Sequence, residues 1–192
     1  MQRLLFFFLT VTLIPALSGC VPVLITGAAT SVGAAHDRRT LGAQLDDQTV
    51  ELKVSAAIVG DKELSRKTVN VNVTSFNGLV LLTGETETTE TRDAVLRHVR
   101  AINGVRRITN ELRIEPPSSF GARSKDSLIT SAVKSRLLVT KNINPTRFKV
   151  TTEAGVVYLM GLVTNAEGEL GAEQAATIDG VTRVVKVFEY ID

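Results

Sequence analysis

The chain has 192 residues, 44% of them hydrophobic, with 22 basic and 20 acidic side chains and a formal charge of +2. So even a balance lacks the basic excess that nucleic-acid binding leaves in a composition. Cys20 is the only cysteine, which excludes an intrachain disulfide, and two histidines leave little material for a metal centre.

Residues 1–19 read as a targeting segment. Arg3 precedes an apolar run from Leu4 to Leu17 that is too short to remain as a membrane span. The run closes on Leu17-Ser18-Gly19-Cys20, which resembles a bacterial lipobox. That resemblance implies cleavage before Cys20, a diacylglycerol on its thiol and a third acyl chain on its amine. Residue 21 is Val and not Asp, which by resemblance to bacterial sorting rules points to the outer membrane. Several acyl chains, at ~0.8 kcal/mol per buried CH₂, hold a protein on a bilayer without a transmembrane helix. Residues 20–46 then form the acylated N-terminus and a tether. Its first part, Val21 to Ala35, is uncharged and rich in Val, Ala, Gly and Thr, and charge begins at His36-Asp37-Arg38-Arg39.

Two similar modules follow, 47–115 and 124–192, joined by a stiff polar linker at 116–123 that contains Pro116-Pro117-Ser118-Ser119. In the first, Asp47 is a candidate N-cap, and Val50, Val54 and Ile58 mark one apolar helix face. Val69, Val71 and Val73 alternate with polar residues as a half-buried strand, and Asn77-Gly78 signals a hairpin. The strand beyond it, Gly78-Leu79-Val80-Leu81-Leu82-Thr83-Gly84, is apolar or Thr at every position between its glycines, which fits burial on both faces. Its closing glycine marks a place where another backbone comes too near for a Cβ. Val95, Val99 and Ile102 mark a second helix stopped at Asn103-Gly104, and Val105 to Ile114 is the last strand. The second module repeats this order. Asp126, Ile129, Val133 and Leu137 match Asp47, Val50, Val54 and Ile58, and Gly155-Val156-Val157-Tyr158-Leu159-Met160-Gly161 matches the apolar strand. Thr164-x-x-Glu167 offers a capping box to its second helix, which Gly168 and Gly171 weaken. The expected fold is α+β, with two tandem αββαβ modules, each a three-stranded mixed sheet packed on two helices. Strands are expected near 69–75, 78–84, 105–114, 146–152, 155–161 and 181–190. Modules of about 70 residues have marginal cores, so shared buried surface is expected.

A repeated αββαβ unit with G-x-V-x-L-x-G and a later N/D-G-V resembles the BON domain, and two such units behind a lipobox resemble the dual-BON outer-membrane lipoproteins. Leu45-Asp46-Asp47, Lys149-Val150-Thr151-Thr152-Glu153 and Leu159-Met160-Gly161-Leu162-Val163-Thr164 carry that closer likeness. The resemblance implies a periplasm-facing protein that supports outer-membrane integrity, with the division site among its places of action. It also implies binding of anionic phospholipid, phosphatidylglycerol or cardiolipin, chiefly by the second module. The competing expectation is a scaffold or chaperone-like partner of outer-membrane assembly or cell-wall proteins.

No residue pattern calls for catalysis, a metal or a cofactor. His36 and His98 stand apart from any ligand cluster, and Ser118-Ser119 has no base near it in sequence. Charge is more informative. Residues 124–149 hold Lys125, Lys134, Arg136, Lys141, Arg147 and Lys149 against Asp126 alone, whereas the matching stretch 47–72 is balanced. With Ile129, Val133 and Leu137 turned inward, Leu128, Ser131, Ser135 and Leu138 form a stripe on another side of the first helix. Lys134 flanks it and Arg136 lies further round. Leucine beside lysine suits insertion at a lipid headgroup boundary. These six residues, with Cys20 for lipidation, are the candidate site. Leu52 and Val59 make a comparable stripe in module one, so packing of Leu128 and Leu138 on module one or the linker is the competing reading.

Overall fold

The computed structural model describes residues 37–62, 64 and 69–192; Cys20, the targeting segment and His36 lie outside them. Helix α1 (Leu41–Gly60) leads into strands β1 (Val69–Phe76) and β2 (Leu79–Thr86), helix α2 (Thr89–Arg100) and strand β3 (Arg107–Ile114). The second module repeats this with α3 (Phe120–Val139), β4 (Phe148–Glu153), β5 (Val156–Val163), α4 (Asn165–Ala176) and β6 (Arg183–Tyr190). Each sheet is ordered with the repeated apolar strand in the middle, antiparallel to the first strand and parallel to the last. A parallel pair needs a long crossover, and α2 and α4 supply it.

The hairpins turn through Asn77 (φ 51°) and Gly78 (φ 73°), and through Ala154 (φ 50°) and Gly155 (φ 76°). Two successive positive φ values make the turn whose twist matches the flanking strands. The strands therefore begin one residue after the expected glycine, because that glycine belongs to the turn. At the other end the expectation of close backbone approach holds: a Cβ on Gly84 would fall 2.0 Å from the carbonyl oxygen of Asn70, and one on Gly161 would fall 2.5 Å from that of Arg147.

Asp47 and Asp126 are not N-caps. The first helices start earlier, capped by Thr40 and Ser119, whose hydroxyls accept from Ala43 N at 3.0 Å and Ala122 N at 3.3 Å. Both aspartates lie inside their helices, buried, and accept from the backbone of the hairpin turn. Asp47 takes Asn77 N at 2.7 Å and Gly78 N at 2.9 Å; Asp126 takes Ala154 N and Gly155 N, each at 2.8 Å. A left-handed turn leaves two N–H groups unsatisfied, and a carboxylate accepts both. Burial alone would raise the Asp47 carboxyl, yet these N–H groups, Ser75 and Arg39 hold it below its ordinary value.

Each sheet packs one face on its own helices. Val50, Val54, Val80, Leu82, Val95 and Val99 form one core, and Ile129, Val133, Leu137, Val157, Leu159 and Phe188 another. The weak helix α4 keeps its glycines because a Cβ on Gly171 would lie 2.7 Å from the Phe148 ring and one on Gly168 3.0 Å from Phe188. Its capping box forms as the spacing suggests.

The other faces of the sheets meet each other. Phe76, Leu79 and Leu81 pack with Tyr158, Met160 and Val187 in a third core that belongs to both modules. This explains why every position of β2 is buried. Burying a large apolar side chain contributes roughly 1.5–3 kcal/mol, so six of them weigh heavily for modules this small. Thr74 and Thr151, equivalent residues of the repeat, face each other at the seam with hydroxyls 3.4 Å apart. Around them Asn72 donates to Glu153, Lys149 to Glu51, Arg106 to Glu189 and Arg183 to Glu111. Residues just before α1 join the seam too. Arg38 donates to Glu167 and to Leu162 O in module two, while Arg39 binds Asp47 and lies 3.8 Å over the Phe76 ring.

Candidate membrane-docking site

Helix α3 is held on its sheet by one narrow face: Asp126, Ile129, Val133 and Leu137 are buried. At 100° per residue these cover less than a quarter of its circumference, so most of the helix faces water. Leu128 and Leu138 are 72% and 69% exposed, and Ser131, Lys134, Ser135 and Arg136 are exposed with them. Packing of the two leucines on module one or the linker is thus ruled out. All six candidate residues share one continuous outer surface.

That surface is larger than the sequence stripe. Phe120 and Val139, 80% and 75% exposed, add to its two ends. The linker expected at 116–123 takes in Phe120, but the helix begins at that residue, and Ser119 as its N-cap is the sequence signal for it. The serines interrupt the ridge less than their hydroxyls suggest. Ser131 Oγ donates to Ser127 O at 3.0 Å and Ser127 Oγ to Arg123 O at 3.1 Å, so the hydroxyl hydrogens are taken up by the helix itself.

Cations flank the ridge on both sides. By helical angle Lys125 and Arg136 lie together on one flank, and Arg123 and Lys134 on the other. None of these four enters an ion pair among the described residues, whereas Arg147 is taken by Glu167 and Lys149 by Glu51. Within residues 120–149 the cations outside ion pairs are therefore these four on α3 and Lys141 just beyond it, and the two engaged cations serve the fold. Glu167 shows how firmly: burial would raise its carboxyl, but the Thr164 N–H, Arg38 and Arg147 lower it to about 2.

The duplicate helix is the internal comparison. Along α1, Leu41, Leu45, Leu52 and Val59 are 64–76% exposed and make an equally apolar ridge. Its charged residues are Asp46, Asp47, Glu51 and Lys53, against Arg123, Lys125, Asp126, Lys134 and Arg136 on α3. Apolar exposure is common to both copies, and only α3 combines it with a positive excess.

Among the described residues, no group of three His, Cys, Asp or Glu side chains could hold a metal ion, and no helix is long and apolar enough to cross a membrane. His98 Nε2 lies 2.7 Å from Asp61, a contact between α2 and the end of α1.

The family model of the BON domain matches residues 46–116 and again 125–192. The chain is 39% identical over 176 residues to the outer membrane lipoprotein DolP of Haemophilus influenzae, covering 92% of this chain and 91% of that one. It is 36% identical over 155 residues to a 21 kDa hemolysin of Actinobacillus pleuropneumoniae, covering 81% and 79%. The osmotically-inducible protein Y of Escherichia coli is 26% identical over 147 residues, covering 75% and 72%.

Proposed function

Because the chain belongs to the BON domain family, as an outer-membrane lipoprotein with two such domains, we propose that it is an anchored reader of anionic phospholipid. In this reading Cys20 carries the acyl anchor, and α3 docks on phosphatidylglycerol or cardiolipin at the periplasmic face of the outer membrane. Docking there supports membrane integrity, including at the division site. No catalytic step is assigned to it.

The observation that carries this reading is the difference between the two duplicated helices. Insertion at a headgroup boundary needs apolar side chains that are free to leave water, and Leu128, Leu138, Phe120 and Val139 are free. Selection for anionic lipid needs cations beside them that no carboxylate has already neutralised. Lys125, Lys134 and Arg136 meet that requirement, and α1 has no equivalent set.

A second reading has its own support. The acidic and apolar ridge of α1 is a poor match for anionic lipid but a fair one for a protein, which fits a scaffold of outer-membrane assembly or cell-wall proteins. Vesicle flotation of residues 37–192, which hold all three cores, separates the two. Leu128→Glu should abolish binding to phosphatidylglycerol vesicles and Leu52→Glu should leave it intact. Parent binding that ignores lipid charge would favour the scaffold.

A further inference from the structure

Helix α1 carries an apolar face that no described residue covers. Leu41, Leu45, Leu52 and Val59 are 64–76% exposed. At 100° per residue they fall within an arc of about 40°. With Gln48 and Ser55 between them they advance in steps of four and three residues, the spacing of a coiled-coil seam. Beside the seam stand Gly42, Thr49 and Ala56, all exposed and small. Thr49 Oγ donates to Leu45 O at 2.9 Å, so this residue turns its methyl group outward. Small side chains on that side let a second helix axis come close. The seam belongs to α1 alone: on α3 the places of Leu45 and Leu52 are taken by Ser124 and Ser131.

The charges of α1 select what fits there. Asp47 and Glu51 are turned inward and matched, by Arg39 at 2.8 Å and Lys149 at 2.7 Å. The exposed face is left with Asp46 and Lys53, which sum to zero and lie on the flank beyond the small residues. Arg106, which lines the same cavity as these two, is held by Glu189 at 3.1 Å. A face without net charge gives an anionic bilayer no electrostatic hold. A second α1 running antiparallel matches it at every layer. Leu41 then meets the partner's Val59, Leu45 meets the partner's Ser55, and Gln48 meets the partner's Leu52. In the same register Gly42 lies beside the partner's Ala56, and Asp46 lies opposite the partner's Lys53. The dyad repeats that ion pair with the roles exchanged. A parallel pair would put the two flanks on opposite sides of the seam and leave all four charges without partners.

We propose that α1 is a dimer interface, at which two copies of this chain pair antiparallel through the face from Leu41 to Val59. This goes beyond lipid docking and does not depend on it, since docking uses the other duplicate helix. One helix face of about 30 by 10 Å is small beside the ~800 Å² per partner of a standard interface, so the pair is weak in solution. The test is sedimentation equilibrium of residues 37–192, in which all three cores are complete, from about 10 μM to about 1 mM. The parent should show a monomer–dimer equilibrium with a Kd on the order of 0.1 mM. Leu52→Glu should stay monomeric throughout, and Leu128→Glu, which removes docking, should dimerise like the parent. Asp46→Lys should weaken the dimer about fivefold, as expected when two exposed ion pairs become like-charged. Asp46→Lys with Lys53→Asp should restore it. A parent that remains monomeric at the highest concentration overturns the proposal, and so does a dimer that survives Leu52→Glu. A double variant no tighter than Asp46→Lys alone overturns the antiparallel arrangement.

Discussion

Reversing charge at Lys134 and Arg136 separates lipid docking from folding more cleanly than any other pair of changes. Both side chains are exposed and neither makes an ion pair among the described residues, so Lys134→Glu with Arg136→Glu removes no contact from the fold. Surface changes of this kind alter stability by no more than about 0.5 kcal/mol. On an anionic surface each cation contributes ~1 kcal/mol, and reversal adds repulsion of similar size, for an upper bound of about 4 kcal/mol. The two residues lie on the flanks of the ridge rather than its crest, so part of this is lost to screening over a Debye length of about 8 Å. A realistic loss is about 2–3 kcal/mol, or roughly 30- to 150-fold in affinity. Flotation of residues 37–192 with phosphatidylglycerol vesicles in 0.05, 0.15 and 1 M salt would measure it. Parent and variant should differ most in low salt and converge in high salt as parent binding weakens. Lys53→Glu on α1 should leave binding within twofold of the parent. Equal affinity of parent and double variant in low salt, with circular dichroism showing both folded, would refute the electrostatic argument.

Two further predictions concern the fold. Met160→Ala empties part of the core shared by the sheets, where the side chain is 0% exposed, and should cost about 2–5 kcal/mol. Calorimetry should show one transition moving down as a whole; separate melting of the two modules would contradict a shared core. Glu167 is lowered from 4.5 to about 2 by the Thr164 N–H, Arg38 and Arg147, which together outweigh its burial. Its contribution, at most about 3 kcal/mol, is therefore fully present above pH 4.5 and lost as pH falls towards 2. Denaturant titrations at pH 5, 3 and 2 should show this loss, and Glu167→Gln should be weaker at pH 5 but lose less on acidification. An unchanged slope in Glu167→Gln would remove Glu167 as the cause.

The core of each module was legible because its signals are local and doubled. Alternation and a constant offset of 77 between the glycine-bounded strands identify β2 and β5 without any knowledge of neighbours. The same residues could not name the partner of their second face. Leu79 and Leu81 alternate with Val80 and Leu82 whatever covers them, and only the structure places Tyr158 and Met160 there. Asp47 and Asp126 misled for a definable reason. An aspartate ahead of an apolar periodicity is an N-cap by the usual rule, but a carboxylate one and a half turns inside a helix can equally serve a turn from another element. The pairing is kept in both copies although the spacing differs, 30 residues from Asp47 to Asn77 and 28 from Asp126 to Ala154, so only the structure shows the link from helix to turn. On α3 the stripe is legible and its ends are not, because the same aspartate displaces the expected helix start from Phe120.

Depth measured on single spin labels tests the central claim most directly. Residues 37–192 contain no cysteine, so Leu128→Cys, Leu138→Cys and Leu52→Cys each give one labelled site. Power-saturation EPR on phosphatidylglycerol vesicles, with oxygen and a water-soluble nickel complex as relaxants, reports whether each label lies below the phosphate level. Docking by α3 predicts labels at 128 and 138 in the acyl region and the label at 52 in water. Immersion of the label at 52, with those at 128 and 138 left in water, would contradict it.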